Sequence, residues 1–446
     1  VWWMTEAVPL AVTALLPLVL YPLLGIMKTS DVSVNYANHL VFLFMGGFII
    51  AIALQKWNLH RRFALHTIAL IGSNPRNVIL AFMIATALLS MWISNTATAI
   101  MMLPIGLAVI HQLQGDTKGS ELKPNLFGMV LMLAIAYSAS IGGISTLIGT
   151  PPNVVFSGIY GKYFPDHAEI SFSRWMINIL PLTVILFGIV WFYLIHIILK
   201  KENLPRLLSK KIFQRKRAEL GPISNPQVRV LVLFVITALL WIFRAGFNLG
   251  NIQIPGWPDL FGLQAYIQDS TIAMGMAILL FIIPAESIKS PKALLNWKDL
   301  LALPWDILLL FGGGFALADG IQKTGLAEFL GKQLAFLGSM HVFIMLLLVA
   351  LSVVFLTELT SNTAVATTIL PILAALAIDL KLDPLLIMLP ATIGASCAFM
   401  LPVATPPNAI VFGSRLIPIQ KMVRMGFFLN LAVALTLTVY FYMIYG

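Results

Sequence analysis

Two polar tripeptides stand out in an apolar chain. Ser94-Asn95-Thr96 lies in a stretch of otherwise mostly apolar residues, and Ser361-Asn362-Thr363 repeats it 267 positions later. Across residues 89–105 and 356–372, nine of seventeen positions are identical. A second matched pair follows: Gly149-Thr150-Pro151-Pro152-Asn153 and Ala404-Thr405-Pro406-Pro407-Asn408. Two consecutive prolines remove two backbone donors and break a helix, which frees carbonyls. Hydroxyl and amide donors beside a helix N-terminus suit an anion, most naturally a carboxylate. Two such tips would hold two carboxylates. The same motifs offer oxygens: the side chains of Asn95 and Asn362, the hydroxyls of Ser90, Ser94 and Thr357, and carbonyls near Gly149 and Ala404. Oxygen sets of this kind suit a hard cation such as sodium. Neither tip carries Arg or Lys, so a dianion there has to be balanced by dipoles, donors or co-bound cations, which favours cation coupling.

A single Ser-Asn-Thr is usually an N-cap and a single Thr-Pro-Pro a helix break. Duplication at constant register is what argues for function. Without change of offset, Gly46-Gly47-Phe48 falls on Gly313-Gly314-Phe315, Gln55-Lys56 on Gln322-Lys323 and Leu59 on Leu326. One unit is therefore used twice. Asn95 and Asn153 are 58 residues apart but Asn362 and Asn408 only 46, a difference that the longer polar stretch 112–124 absorbs as a loop.

With 59% hydrophobic and 10% charged residues, against about 25% charged in a soluble domain, the chain reads as a polytopic membrane protein. Runs such as 7–26, 176–199, 229–247 and 426–445 are long enough to span a bilayer. One cysteine, Cys397, excludes a disulfide framework. The net charge of +10 is explained by loops and not by nucleic acid. An enzyme is disfavoured, because neither motif has a His nearby and Cys397 has no evident partner.

The expected architecture is all-α. A first repeat covers 1–199, with a re-entrant hairpin near 77–113 and a broken helix near 126–160. A basic linker, 200–228, leads to a second repeat over 229–446, with a hairpin near 341–377 and a broken helix near 385–412. Five crossings separate equivalent points, so the repeats are inverted. In this threading the loops 56–76, 112–125, 200–229, 285–304 and 415–424 hold 21 of the 28 Lys and Arg and face the cytoplasm. Residues 55–71, with His60 and His66, read as an amphipathic surface helix. Glu358, whose counterpart is Met91, reads equally as a cation or proton site and as a structural support, and Asp319 as facing the outer surface. The span 229–247 has its counterpart before residue 1, which predicts further spans upstream, two by preference. Inverted repeats with paired broken helices mark a secondary transporter whose site lies at the midplane.

At these motifs the chain resembles the divalent-anion/sodium symporter family, which pairs a Ser-Asn-Thr hairpin tip with a Thr-Pro motif in each half. The resemblance spans essentially the whole chain. It implies a homodimer in a bacterial inner membrane, elevator motion, and two sodium ions flanking one dicarboxylate. The first sodium site would use Ser90, Ser94, Asn95 and Gly149, and the second Thr357, Thr360, Asn362 and Ala404. The substrate would meet Ser94, Asn95, Thr96, Thr150, Pro151, Ser361, Asn362, Thr363, Thr405 and Pro406. Related exchangers often carry Arg shortly after the tip, where this chain has Ala97, Thr98, Ala364 and Val365. The expected function is therefore sodium-coupled import of C4 dicarboxylates such as succinate, malate or fumarate. Sodium-independent exchange, or symport of citrate, sulfate or another divalent anion, is the alternative.

Overall fold

The computed structural model describes residue 2 and residues 7–71, 74–114, 125–201, 218–249, 252–286, 292–334 and 338–446. Most of the 112–124 loop and most of the 200–228 linker lie outside the described residues. The chain is nearly all helical, and the all-α expectation needs one addition. Phe247–Leu249 and Ile252–Ile254 pair as a short antiparallel ribbon. Three-residue strands are too short for a period-2 pattern to announce them.

The register of the sequence reappears in the helix boundaries. Helices α2 (His39–Lys56), α3 (Leu59–Ile71), α4 (Pro75–Ser90) and α5 (Asn95–Gln114) follow the short, interrupted α1 (Leu10–Leu23). After α6 (Leu126–Ile144), α7 (Pro151–Tyr163), α8 (Phe172–Phe192), α9 (Asn225–Ile242) and α10 (Asp269–Ile282), the same series returns. It consists of α11 (Trp305–Lys323), α12 (Leu326–Leu334), α13 (Val342–Leu356) and α14 (Asn362–Leu380), each starting within one residue of the 267 offset. The chain ends with α15 (Pro384–Ala395), α16 (Pro406–Phe412) and α17 (Ile419–Tyr445).

Local chemistry sets these boundaries. Asn74 caps α4 by accepting from Arg76 N at 3.1 Å, with Pro75 in the first turn, where its missing N–H costs nothing. The turn between α2 and α3 is made at Asn58, which takes φ 56°, a conformation that Asn tolerates better than most residues. Pro151 and Pro406 open α7 and α16 for the same reason that Pro75 opens α4.

Among the described residues, six helices are long and apolar enough to cross a membrane by length and composition. Helix α6 is entirely enclosed by protein, whereas α8 and α9 keep most of their surface outside. Packed around α6 are α4, α5, α8 and α16, and beyond them a body of α7, α13, α14, α15 and α17. Helices α1, α2, α9, α10 and α11 form a second group. Adjacent glycines serve the two groups differently. A Cβ on Gly46 would sit 2.7 Å from Ala273 of α10, and one on Gly313 would overlap Ala14 of α1, so both glycines close the second group on itself. A Cβ on Gly47 would lie 3.2 Å from Ile148 of the α6–α7 break, and one on Gly314 2.5 Å from Thr367 of α14, so these two face the body around α6.

A polar tie crosses the same boundary. Lys162 of α7 pairs with Asp319 of α11 and donates to Asn35 Oδ1 at 3.1 Å, while Asn35 Nδ2 donates to Asp319 Oδ2 at 2.7 Å. Asp319, read from sequence as a surface residue, is thus held in a half-buried ion pair.

A second network has a buried pair, Arg244 and Asp269, with the exposed Glu169 at its edge. Arg244 Nε lies 2.5 Å from Asp269 Oδ1, its Nη2 donates to Glu169 at 3.1 Å, and Asp269 also accepts from Phe172 N at 2.8 Å. Removing one member of a buried pair strands the other charge. Arg244→Ala is therefore expected to destabilise the fold by about 3–5 kcal/mol. Thermal unfolding of the purified variant checks this, and the double variant with Asp269→Asn should recover part of the loss. An unchanged midpoint in Arg244→Ala would show that the pair contributes nothing.

Candidate functional site

Each hairpin turns at its Ser-Asn-Thr. The last residue of α4, Ser90, and the residue that ends α13, Thr357, are fully buried, whereas Ser94, Asn95, Thr96, Ser361 and Asn362 are half-buried. Ser90 Oγ lies 2.5 Å from Asn95 Oδ1 and 2.7 Å from the Ala139 carbonyl of α6. In the second half, Thr357 Oγ1 lies 2.7 Å from Asn362 Oδ1 and 2.8 Å from the Ala395 carbonyl of α15. A hydroxyl has one proton and can serve only one acceptor. In both clusters three oxygens therefore meet around a single proton, and the oxygen pair without it is repulsive. A cation coordinated among them would relieve that repulsion. Replacing Ser by Thr keeps the hydroxyl and, here, keeps the geometry.

Glycines let the first cluster form. A Cβ on Gly143 would overlap Asn95 Oδ1, one on Gly142 would overlap Ala87 O, and one on Gly149 would overlap Gly143 O. Ser90, Asn95 and Gly149 are thereby brought together around Gly143. In the second half Thr357 and Asn362 meet, and the buried Ala404 donates its N–H to Leu401 O at 3.2 Å. The structure gives Ser94 and Thr360 other local partners. Ser94 Oγ accepts from Ala97 N at 3.3 Å as a helix cap, and Thr360 Oγ1 donates to Leu356 O at 3.2 Å.

The breaks are stitched by the asparagines that end the second motif. Asn153 Nδ2 donates to Gly143 O at 3.3 Å and Thr146 O at 2.7 Å. Asn408 Nδ2 donates to Ala398 O and Leu401 O, both at 3.1 Å. The acceptors stand ten and seven residues before the Asn in both halves. Thr150 and Thr405 are buried N-caps of α7 and α16, Pro151 is half-buried and Pro406 exposed. Helix α16 packs on α5 and α6, and α7 on α14 and α15. Each half-helix that leaves a break therefore lies against the hairpin of the other repeat, so all four motifs belong to one packed body.

Three contributors were not picked out from sequence. The Ala139 and Ala395 carbonyls leave no trace in residue type. Gly143 could have been found, since Gly142-Gly143 lies six residues before Gly149 in the same span. Glu358 reads from sequence as either an ion site or a support, and its partners in the structure are all N–H donors. It is buried, with Oε1 accepting from Phe399 N at 2.7 Å, Met400 N at 2.9 Å and Asn430 Nδ2 at 2.7 Å, and Oε2 from Leu401 N at 2.9 Å.

Comparison with known proteins fits this construction. The whole chain, residues 1–446, matches the family model described as "Sodium:sulfate symporter transmembrane region". A sodium-dependent dicarboxylate transporter, SdcS, of Staphylococcus saprophyticus is 44% identical over 446 residues, covering 99% of this chain and 83% of the relative. The SdcS of Staphylococcus aureus is 44% identical over 447 residues, covering 99% and 84%. Among solved structures, the YdaH transporter of Alcanivorax borkumensis superposes with a TM-score of 0.60 over 93% of this chain and 87% of its own, at 14% identity, a likeness of fold alone. The chain therefore belongs to the sodium:sulfate symporter family, as a multi-pass membrane transporter and not an enzyme, with sodium as its co-transported ion.

Proposed function

We propose that this protein is a sodium-driven symporter that imports C4 dicarboxylates such as succinate, malate and fumarate across the bacterial plasma membrane. The observation that carries the reading is the matched pair of three-oxygen clusters, Ser90 with Asn95 and Ala139, and Thr357 with Asn362 and Ala395. In this reading each cluster takes one sodium ion, joined by the freed backbone near Gly149 or Ala404. Two sodium ions neutralise a dicarboxylate. The tip groups of Ser94, Asn95, Thr96, Ser361, Asn362 and Thr363, with Thr150, Pro151, Thr405 and Pro406, hold its carboxylates between them. Sodium binds first, because the uncompensated oxygens disfavour the closed tip until a cation bridges them. The dicarboxylate preference is supported by the names of the two staphylococcal relatives.

Transport follows as movement of the body around α6, in a homodimer, against the group of α1, α2, α9, α10 and α11. Each group takes helices from both repeats, and Gly47 and Gly314 present low-relief surfaces at the boundary.

The test is uptake of labelled succinate into proteoliposomes with an inward sodium gradient, compared with choline, and with internal succinate, external citrate and external sulfate as further arms. Sodium-driven succinate accumulation is expected. Uptake driven only by internal succinate would make the protein an exchanger. Sodium-driven uptake of sulfate or citrate in its place would overturn the substrate class.

A further inference from the structure

The two oxygen clusters match closely, but their surroundings do not. Three charged side chains are buried among the described residues: Arg244, Asp269 and Glu358. The first two pair with each other. Glu358 has no Lys, Arg or His within ion-pair distance among the described residues, and its four partners are neutral N–H groups. It directly follows Thr357, so chain geometry alone keeps its carboxylate within about 10 Å of the Thr357 hydroxyl. In the first half the corresponding residue is Met91, and its carbonyl accepts from Thr146 Oγ1.

The residues that brace the breaks show what Glu358 replaces. Asn430 follows Trp175 by 255 positions, the offset that relates Asn408 to Asn153. Trp175 Nε1 donates straight to Ile144 O at 2.9 Å, bracing the first break from α8. Phe399 is the corresponding residue of the second break, and Asn430 of α17 reaches it only through the Glu358 carboxylate. Because a carboxylate that accepts four donors has nothing to give, the Asn430 amide must turn its NH2 inward, and its Oδ1 is left without a partner among the described residues. A buried, unpartnered amide oxygen is costly, so the orientation is imposed by the acid.

We propose that Glu358 is a positioning residue that ties α17 and the second break to the second hairpin tip and, as a fixed negative charge beside the Thr357, Asn362 and Ala395 oxygens, makes that cluster the tighter of two sodium sites. The inference rests on the sodium reading of the clusters. It adds an order of loading: the second site fills first, and the first site, with Met91 in the equivalent place, fills at higher sodium. A unit charge within about 10 Å at an effective dielectric near 20 changes cation affinity by about tenfold or more.

The test measures the sodium concentration for half-maximal succinate uptake in proteoliposomes, and sodium-dependent thermal stabilisation of the purified full chain with choline as control. Glu358→Gln should raise the half-maximal sodium concentration about tenfold or more, with uptake at saturating sodium within about threefold of wild type. Glu358→Asp and Asn430→Leu keep the charge and should leave sodium affinity within about threefold while lowering the maximal rate. An unchanged sodium requirement in Glu358→Gln, or an equal shift in Asn430→Leu, overturns the proposal. Should Glu358→Gln fail to fold, stabilisation of the single-site variants decides. Asn95→Ala should respond at wild-type sodium concentrations, and Asn362→Ala only at about tenfold higher ones. The reverse ranking, or equal responses, overturns the proposal. A wild-type protein indifferent to sodium would sink the sodium reading itself and is distinct from all of these.

Discussion

Asn95→Ala and Asn362→Ala should each abolish sodium-driven succinate uptake while leaving a folded protein in the membrane. Each substitution deletes an oxygen that lies 2.5 Å or 2.7 Å from its partner hydroxyl, and with it the amide donor at the tip. Removing even an indirect support of a bound ion costs roughly 10–100-fold, so losing a direct ligand should cost at least the upper end of that range. Stability should change little, because both side chains are half-buried and the hydroxyls of Ser90 and Thr357 keep the Ala139 and Ala395 carbonyls as acceptors. Uptake in proteoliposomes together with thermal unfolding separates the two effects. Undiminished transport by either variant would remove that cluster from the mechanism.

The smallest substitution with a comparably large effect is Gly143→Ala. The added methyl group would overlap Asn95 Oδ1 and lie 2.9 Å from Asn95 Nδ2 and 3.0 Å from Cγ. The asparagine has to leave its place, and the first oxygen cluster goes with it. Expected are a rise of about tenfold or more in the sodium needed for half-maximal uptake and a maximal rate reduced to a few per cent of wild type. Gly161→Ala is the control, because on the surface of α7 a Cβ meets nothing within 4 Å. Equal behaviour of the two variants would show that close approach at Gly143 is irrelevant to transport.

Much of this was readable in the sequence, because duplication acts as an internal control. The register that matched Ser94-Asn95-Thr96 to Ser361-Asn362-Thr363 also placed α2 to α5 against α11 to α14 within one residue. The broken helices followed from the chemistry of consecutive prolines. What stayed hidden was carried by groups that residue type does not reveal. Ala139 and Ala395 contribute carbonyls, which every residue has. Glu358 could not be assigned because an acid in a membrane span is equally compatible with binding an ion and with capping freed N–H groups, and only the partners at residues 399–401 decide in favour of capping. Thr360, assigned to the second sodium site by resemblance, lies in the turn after α13, where its hydroxyl donates to Leu356 O at 3.2 Å and keeps its lone pairs.

The complete enclosure of α6 bears on how this protein is made. The helix leaves the ribosome after α4 and α5 but before α8 and long before α16, so part of its final wrapping does not yet exist when it enters the bilayer. Its Tyr137 hydroxyl ends up donating to Phe399 O at 2.9 Å, an acceptor that is synthesised 262 residues later. Until then α6 must wait in lipid, and a 19-residue apolar helix can do so, because it satisfies its own backbone. Its apolar character thus serves biogenesis as well as the core of the finished molecule, where α6 is enclosed by protein. Ribosomes that stall before α13 should yield nascent chains with α6 still open to lipid, a ready substrate for membrane quality-control proteases.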